Sequence, residues 1–507
     1  MMKKAIKKLL AALLAVAMVC AMAIPAFAEN SEGDVDSHHT YSAFQIFKGD
    51  VEGNNIKDFK ISNVDWGSNI ITNSEDFLAQ LKAAERIGGQ FEGATTAQDV
   101  LKVISRWHDS DDDSIAFARF VCHYLYSNDA NPTYVVRAGS NALTIPEAKA
   151  GYYLFVDTTD FSKDDSYHSY NSFLLMVTKG NWNVPITPKA EKPSVKKEVF
   201  DNFDNQDGTS TGDFGSSADH AINEKFQFKL TATLPASTDH AYDYYDTYAV
   251  CFKDTLSEGI TYDGPDSVVI KSNNNTYDTT IDPSKYTIDT KNLETQNYFE
   301  VNIHDVKACA KDAGFDLNDG ATITVTYTAH LNEKATVNTT SGPTDNKNSV
   351  QLQYSNNPRP GDYWGTTPKS EVCVFTYQLN NTKYHDDDTP GNELAGAGFR
   401  LYSGKDCTKE QEIKLKKNTT DGTYSPYFGT DAGDEMISDN KGQFNVKGLD
   451  AGTYYLRETK TPDDYNACAD KEIVISATHD VNHVSLSGNL STTIINKKAG
   501  GITLPST

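Results

Sequence analysis

The chain has 507 residues, a formal net charge of -24 and seven cysteines. A surface this acidic repels nucleic acid and anionic membrane, so neither is an expected partner. The length predicts about three domains once an export segment at the N-terminus is set aside.

That segment opens the chain. Lys3, Lys4, Lys7 and Lys8 form a basic region, an apolar run follows from Leu9 to Ile24, and Ala26-Phe27-Ala28 supplies small residues at the positions a signal peptidase reads. Residues 1–28 therefore read as a signal peptide cleaved after Ala28; the apolar run is short for a spanning helix. Losing its four lysines takes the formal charge from -24 to -28. Cys20 leaves with the signal. Cys122, Cys251, Cys309, Cys373, Cys407 and Cys468 are scattered without C-x-x-C or Cys/His metal spacing. Export permits disulfides. Cys407 and Cys468 share a domain and are read either as a pair or as buried thiols.

Two stiff, proline-containing joints divide the mature chain, Val184 to Pro193 and Pro358 to Lys369. Residues 29–189 read as mixed α/β. A strand is expected over Tyr41–Lys48, then helices over Ser74–Arg86 (with Ser74 as N-cap), Thr96–Trp107 and Asp113–Ser127. Strands return at Thr133–Arg137, Gly151–Asp157 and Ser172–Val177. Residues 190–369 read as all-β, with alternating runs at Lys225–Leu230, Val268–Lys271, Thr322–Thr328 and Val350–Tyr354. Residues 370–499 repeat the style at Val372–Leu379, Gly398–Tyr402, Gly442–Val446, Thr453–Arg457 and Glu472–Ser476. The expected fold is mainly β: tandem immunoglobulin-like β-sandwiches, with a helical insertion in the first domain. The acidic runs Asp109–Asp113 and Asp386–Asp388 lack the glycine and closing glutamate of a calcium loop and read as solvated loops.

In the last domain, side-chain parity singles out three residues. Lys383 is in phase with Phe375, Tyr377 and Leu379; Glu458 with Tyr454 and Leu456; Asn496 with Ile494. Each polar group thus falls on the face its apolar neighbours would bury, where an unpaired charge is expensive, so the three are expected to meet. Burial lowers a lysine pKa and raises a glutamate pKa, which lets a neutral amine and a protonated acid coexist. A neutral Lys383 amine is a nucleophile. Glu458 is expected to hydrogen-bond and polarise the Asn496 carbonyl and to shuttle protons. The product would be a Lys383–Asn496 amide with ammonia released.

These segments resemble the isopeptide-bonded, collagen-adhesin B-type domains of Gram-positive, sortase-assembled pilins. Tyr455-Leu456-Arg457-Glu458-Thr459 with Pro462 and Tyr465 is similar to the family's E-box, and Leu394-Ala395-Gly396-Ala397-Gly398-Phe399 to the segment after its reactive-lysine strand. The resemblance implies a second set in the middle domain, with reactive Lys and Asn near its ends and an acid between. Parity selects Lys197 and Asn348, with Asp254 as the acid and Glu224 as its rival; Lys196 has outward parity. In the first domain Gly151-Tyr152-Tyr153-Leu154-Phe155-Val156 resembles the E-box but has Val156 in place of glutamate, so no bond is expected there; Lys48 and Asn171 are the candidates if one exists.

Two features resemble polymerisation signals. Leu504-Pro505-Ser506-Thr507 matches the first four residues of the LPXTG sorting motif, so Thr507 reads as a processed C-terminus and acyl donor. Val184-Pro185-Ile186-Thr187-Pro188-Lys189 resembles the pilin motif, with Thr187 where the family has tyrosine; Lys189 would be the acceptor, with Lys192 as alternative. The resemblance implies a major pilin, a shaft subunit of a cell-wall pilus. Its implied partners are identical subunits, a class C-type pilus sortase, ancillary pilins, peptidoglycan through a housekeeping sortase, and host glycans or matrix proteins. The competing reading is an ancillary or tip adhesin. No H-E-x-x-H, G-x-S-x-G or zinc spacing is present, so neither an enzyme nor a cofactor is expected.

Overall fold

The structure, a computed structural model, describes residues 40–54, 59–108, 111–137, 149–158, 174–179, 192–204, 210–238, 240–274, 276–360, 364–488 and 490–500. The signal peptide, Asn171, Lys189 and Leu504 to Thr507 lie outside them.

The first domain is one sheet backed by helices. Its strands run in the order Lys60–Trp66, Thr40–Glu52, Gly151–Asp157, Leu174–Thr178, and Tyr134–Arg137 also pairs with Thr40–Glu52. The helices Ser74–Ala83, Ala97–Ile104 and Asp112–Ser127 are inserted between Lys60–Trp66 and Tyr134–Arg137. Phe77, Leu81, Val100, Phe117 and Val121 pack with Phe44, Phe47, Leu154 and Val156 in one core. Ser74, expected as an N-cap, is instead the first helical residue after Asn73. Thr96 is a true cap: its hydroxyl accepts from Asp99 N at 3.2 Å and the Asp99 carboxylate accepts from Thr96 N at 3.1 Å. The described part of the first acidic run is not idle, since Arg86 pairs with Asp112 and Asp113 at 2.6 and 3.2 Å.

The middle domain is a sandwich of two sheets. One carries Tyr286–Asp289, Tyr298–Ile303, Val250–Leu256, Lys347–Ser355, Ser370–Phe375 and Ser217–Asp219 in that order. The other carries Asp278–Thr280, Ile260–Ser272, Ala321–Leu331, Lys225–Leu234, Ser194–Asp204 and Ser210–Gly215. Along Ala321–Leu331 every second residue is buried, the period-2 signature of a strand with one face in the core. Each such Ile, Val or Leu removed from water contributes roughly 1.5–3 kcal/mol.

The last domain is a second sandwich, with Tyr377–His385 and Ser491–Asn496 as parallel neighbours in one sheet and Gly398–Tyr402, Gly452–Lys460 and Lys471–His479 in the other. The expected single strand Val372–Leu379 is two strands in two domains. Ser370–Phe375 completes the middle sandwich, and after Thr376 the strand Tyr377–His385 begins the last one. Val372 and Val374 enter the middle core, whereas Cys373 and Phe375 enter the last. The seam is closed further by Ile222 N donating to Gly448 O at 2.9 Å and Asn338 N to Thr376 O at 2.8 Å. Gly448 holds φ +86°, and a Cβ there would stand 2.5 Å from the Ile222 side chain. The six described cysteines are free thiols, so Cys407 and Cys468 are not paired. Among the described residues, no helix is long and apolar enough to cross a membrane.

Candidate functional site

Two buried groups of lysine, acid and asparagine occupy the middle and last sandwiches. In the last one, Tyr377–His385 delivers Lys383, Ser491–Asn496 delivers Asn496, and Gly452–Lys460 in the facing sheet delivers Glu458. The side chains of Lys383 and Glu458 are fully buried, as is Asn496. Lys383 Nζ donates to Asn496 Oδ1. Asn496 Nδ2 donates to Glu458 Oε1 at 2.7 Å, and that oxygen lies 3.5 Å from Lys383 Nζ. Glu458 therefore meets the amide nitrogen, whereas the sequence reading put it on the carbonyl. The position suits a proton relay: the carboxylate can take a proton from the amine and hand it to the departing nitrogen. Burial, the larger effect, pushes the Lys383 amine below its usual range, while the Cys468 thiol and Glu458 pull it back up.

Cys468 was not foreseen here. Its backbone N–H donates to Glu458 Oε2 at 2.9 Å and fixes the carboxylate, and burial pushes its own thiol up.

In the middle sandwich, Lys197 comes from Ser194–Asp204, while Asp254 and Asn348 come from neighbouring strands of the facing sheet. Lys197 is 2% exposed and Asp254 and Asn348 are 0% exposed. Lys197 Nζ donates to Asp254 Oδ2 and, at 3.0 Å, to the Tyr327 hydroxyl. That hydroxyl donates to Asp254 Oδ1 at 3.0 Å and accepts from Asn348 Nδ2. Tyr327, which sequence reasoning missed, thus gathers amine, acid and amide around one oxygen. Its parity with Ile323 and Val325 was the available signal, because a tyrosine on a buried face needs a partner for its hydroxyl. Asn348 Oδ1 has no hydrogen-bond partner among the described residues. Burial pushes the Lys197 amine down to about 8 against the pull of Asp254, and raises the Asp254 carboxyl against the pull of Lys197.

The rivals stand elsewhere. Glu224 accepts from Asn202 Nδ2 at 2.9 Å, beside His220 and away from the Lys197 set. Lys196 is exposed and pairs with Glu198 at 2.6 Å. In the first domain Lys48 is half-exposed and pairs with Asp65 at 3.2 Å, and Val156 is buried apolar core. Lys192 is exposed at the start of the middle domain.

Residues 380–489 match the family described as SpaA: Prealbumin-like fold domain. A solved backbone pilin of Streptococcus pyogenes, of modular three-domain structure, is 17% identical, with 92% of this chain and 97% of that one aligned and a TM-score of 0.50. The chain is similar to it in fold. The full-length major pilin SpaD of Corynebacterium diphtheriae is 17% identical over 91% of this chain and 93% of its own, at a TM-score of 0.46. A 35 kDa C-terminal fragment of the major pilin GBS80 of Streptococcus agalactiae is 21% identical over 61% of this chain and all of its own, at a TM-score of 0.43. No curated protein matches the chain.

Proposed function

We propose that the chain is a secreted shaft subunit of a covalent pilus on a Gram-positive cell wall, braced by self-formed Lys383–Asn496 and Lys197–Asn348 isopeptide bonds. The observation that carries this reading is the pair of buried sets, each holding an amine lowered by burial in contact with an acid and an amide system. In each, the amine nitrogen attacks the asparagine Cγ, a C–N bond forms, the acid moves one amine proton to the amide nitrogen, and ammonia leaves. Close, fixed placement supplies much of the rate, and each acid, Glu458 or Asp254, acts once. This is single-turnover self-modification, and the chain is otherwise structural.

Assembly would proceed by a class C-type sortase that links Thr507 of one subunit to Lys189 of the next, with ancillary pilins and peptidoglycan as further attachment partners and host glycans or matrix proteins as contacts. The similarity in fold to a backbone pilin supports the shaft role. The deciding experiment is the intact mass of the exported protein starting at residue 29. It is expected to fall below the sequence mass by two ammonia molecules; an unreduced mass would overturn the bracing.

A further inference from the structure

At the seam between the middle and last domains, outside the two lysine sites, His220 and Glu224 of the middle domain face Asp450 of the last. One ligand atom from each lies within 4.8 Å of the others. His220 is 0% exposed. Its ring is stacked on Phe226, with centroids 4.2 Å apart and planes 2° from parallel. Its Nε2 is 2.7 Å from Phe200 O. A carbonyl oxygen only accepts, so Nε2 carries the proton and, in the neutral ring, Nδ1 carries a lone pair. That lone pair has no hydrogen-bond partner among the described residues, and it faces Glu224 Oε2 at 3.7 Å. The separation is too long for a hydrogen bond. It is close to the roughly 3.4 Å between two donors on a tetrahedral ion with bonds of about 2.1 Å. His220 is buried while Glu224 and Asp450 are only partly so, and two acceptors facing each other there leave a place for a positive centre between them.

We propose that His220 Nδ1, Glu224 and Asp450 bind a divalent first-row transition ion of the zinc class, which clamps the last domain to the middle one. One imidazole and two carboxylates suit such an ion, with an open fourth position for water. The supports of a metal site are present. Phe200 O fixes the His220 tautomer. Asn202 Nδ2 and Ala221 N orient Glu224 at 2.9 and 3.0 Å, and Ala451 N holds Asp450 Oδ1 at 2.8 Å. Asp201 and Asp219 stand alongside, each 3.6 Å from His479 Nε2.

The test is zinc titration of the untagged mature protein by calorimetry, with calcium and magnesium as separate arms. One equivalent of zinc is expected to bind, with affinity falling at least about tenfold in Asp450→Asn and in Glu224→Gln. The variant His108→Gln, at a side chain 89% exposed, should bind as the wild type does. Zinc should also slow hydrogen exchange around Thr376 and Gly448 in the wild type and leave it unchanged in Asp450→Asn. Absence of zinc binding, equal binding by both site variants with native circular dichroism, or binding of calcium or magnesium in preference to zinc would each overturn the proposal.

Discussion

Asn496 lies opposite His385, two residues beyond Lys383, on a neighbouring parallel strand. Two residues along a strand return a side chain to the same face, so the Lys383 amine needs to lean over one repeat to reach the Asn496 amide, and it does so in a fully buried position. The pair lies 113 residues apart in sequence, so a cross-link there would close nearly the whole domain.

Removing the relay separates chemistry from fold. Glu458→Ala is expected to restore one ammonia to the intact mass while the Lys197–Asn348 bond still forms. The last domain should lose about 5 kcal/mol of stability on the loop-closure estimate, readable as an earlier unfolding transition by calorimetry. Retention of the full mass deficit would show that Glu458 is dispensable.

Tyr327 offers a matching test in the middle domain. Tyr327→Phe keeps the ring and its contacts but deletes the oxygen shared by Lys197, Asp254 and Asn348. Formation of the middle bond during the first folding of newly synthesised, still unlinked chain, followed by mass spectrometry, should slow by about ten- to a hundredfold, the value of one charge-assisted hydrogen bond. An unchanged rate would reduce Tyr327 to a packing residue.

The pH dependence follows from proton counting. A neutral amine with a protonated acid has the same number of protons as the Lys197–Asp254 ion pair, so the reactive form is a fixed fraction of the singly deprotonated pair. With the Lys197 amine lowered to about 8, the pair loses that proton above this pH and the relay has no acid to offer. The rate of middle-bond formation in newly synthesised, still unlinked chain should be flat just below about pH 8 and fall about tenfold per unit above it. A rate that keeps climbing would mean that the free amine alone suffices.

Parity along strands was enough to pick out the polar residues on apolar faces, because period 2 is fixed by the backbone and each of Lys383, Glu458 and Asn496 sits among alternating apolar neighbours. It could not tell which atom of the Asn496 amide Glu458 would meet, since that depends on rotamers. Tyr327 escaped because a tyrosine in an apolar phase reads as core. The split of Val372–Leu379 was hidden for a similar reason. Valine, cysteine and phenylalanine are all acceptable in a core, and only the three-dimensional partners reveal that alternate side chains enter different ones. Asp450, His220 and Glu224 carry no sequence spacing because they come from two domains.

Assembly has its own readout. Lys189→Ala should abolish high-mass ladders on denaturing gels of cell-wall extracts, with secretion and the two-ammonia mass deficit intact. Persistence of the ladders would move the acceptor to Lys192 or to another lysine.

The strand Ser370–Phe375 sends Val372 and Val374 one way and Cys373 and Phe375 the other. A slip of one residue would therefore misplace side chains in both cores at once, and rotation of one domain about the strand axis would pull them from both. The joint is keyed like a splined axle: a twist applied to the last domain would be passed to the middle one through these side chains, so a filament built from such subunits would resist torsion.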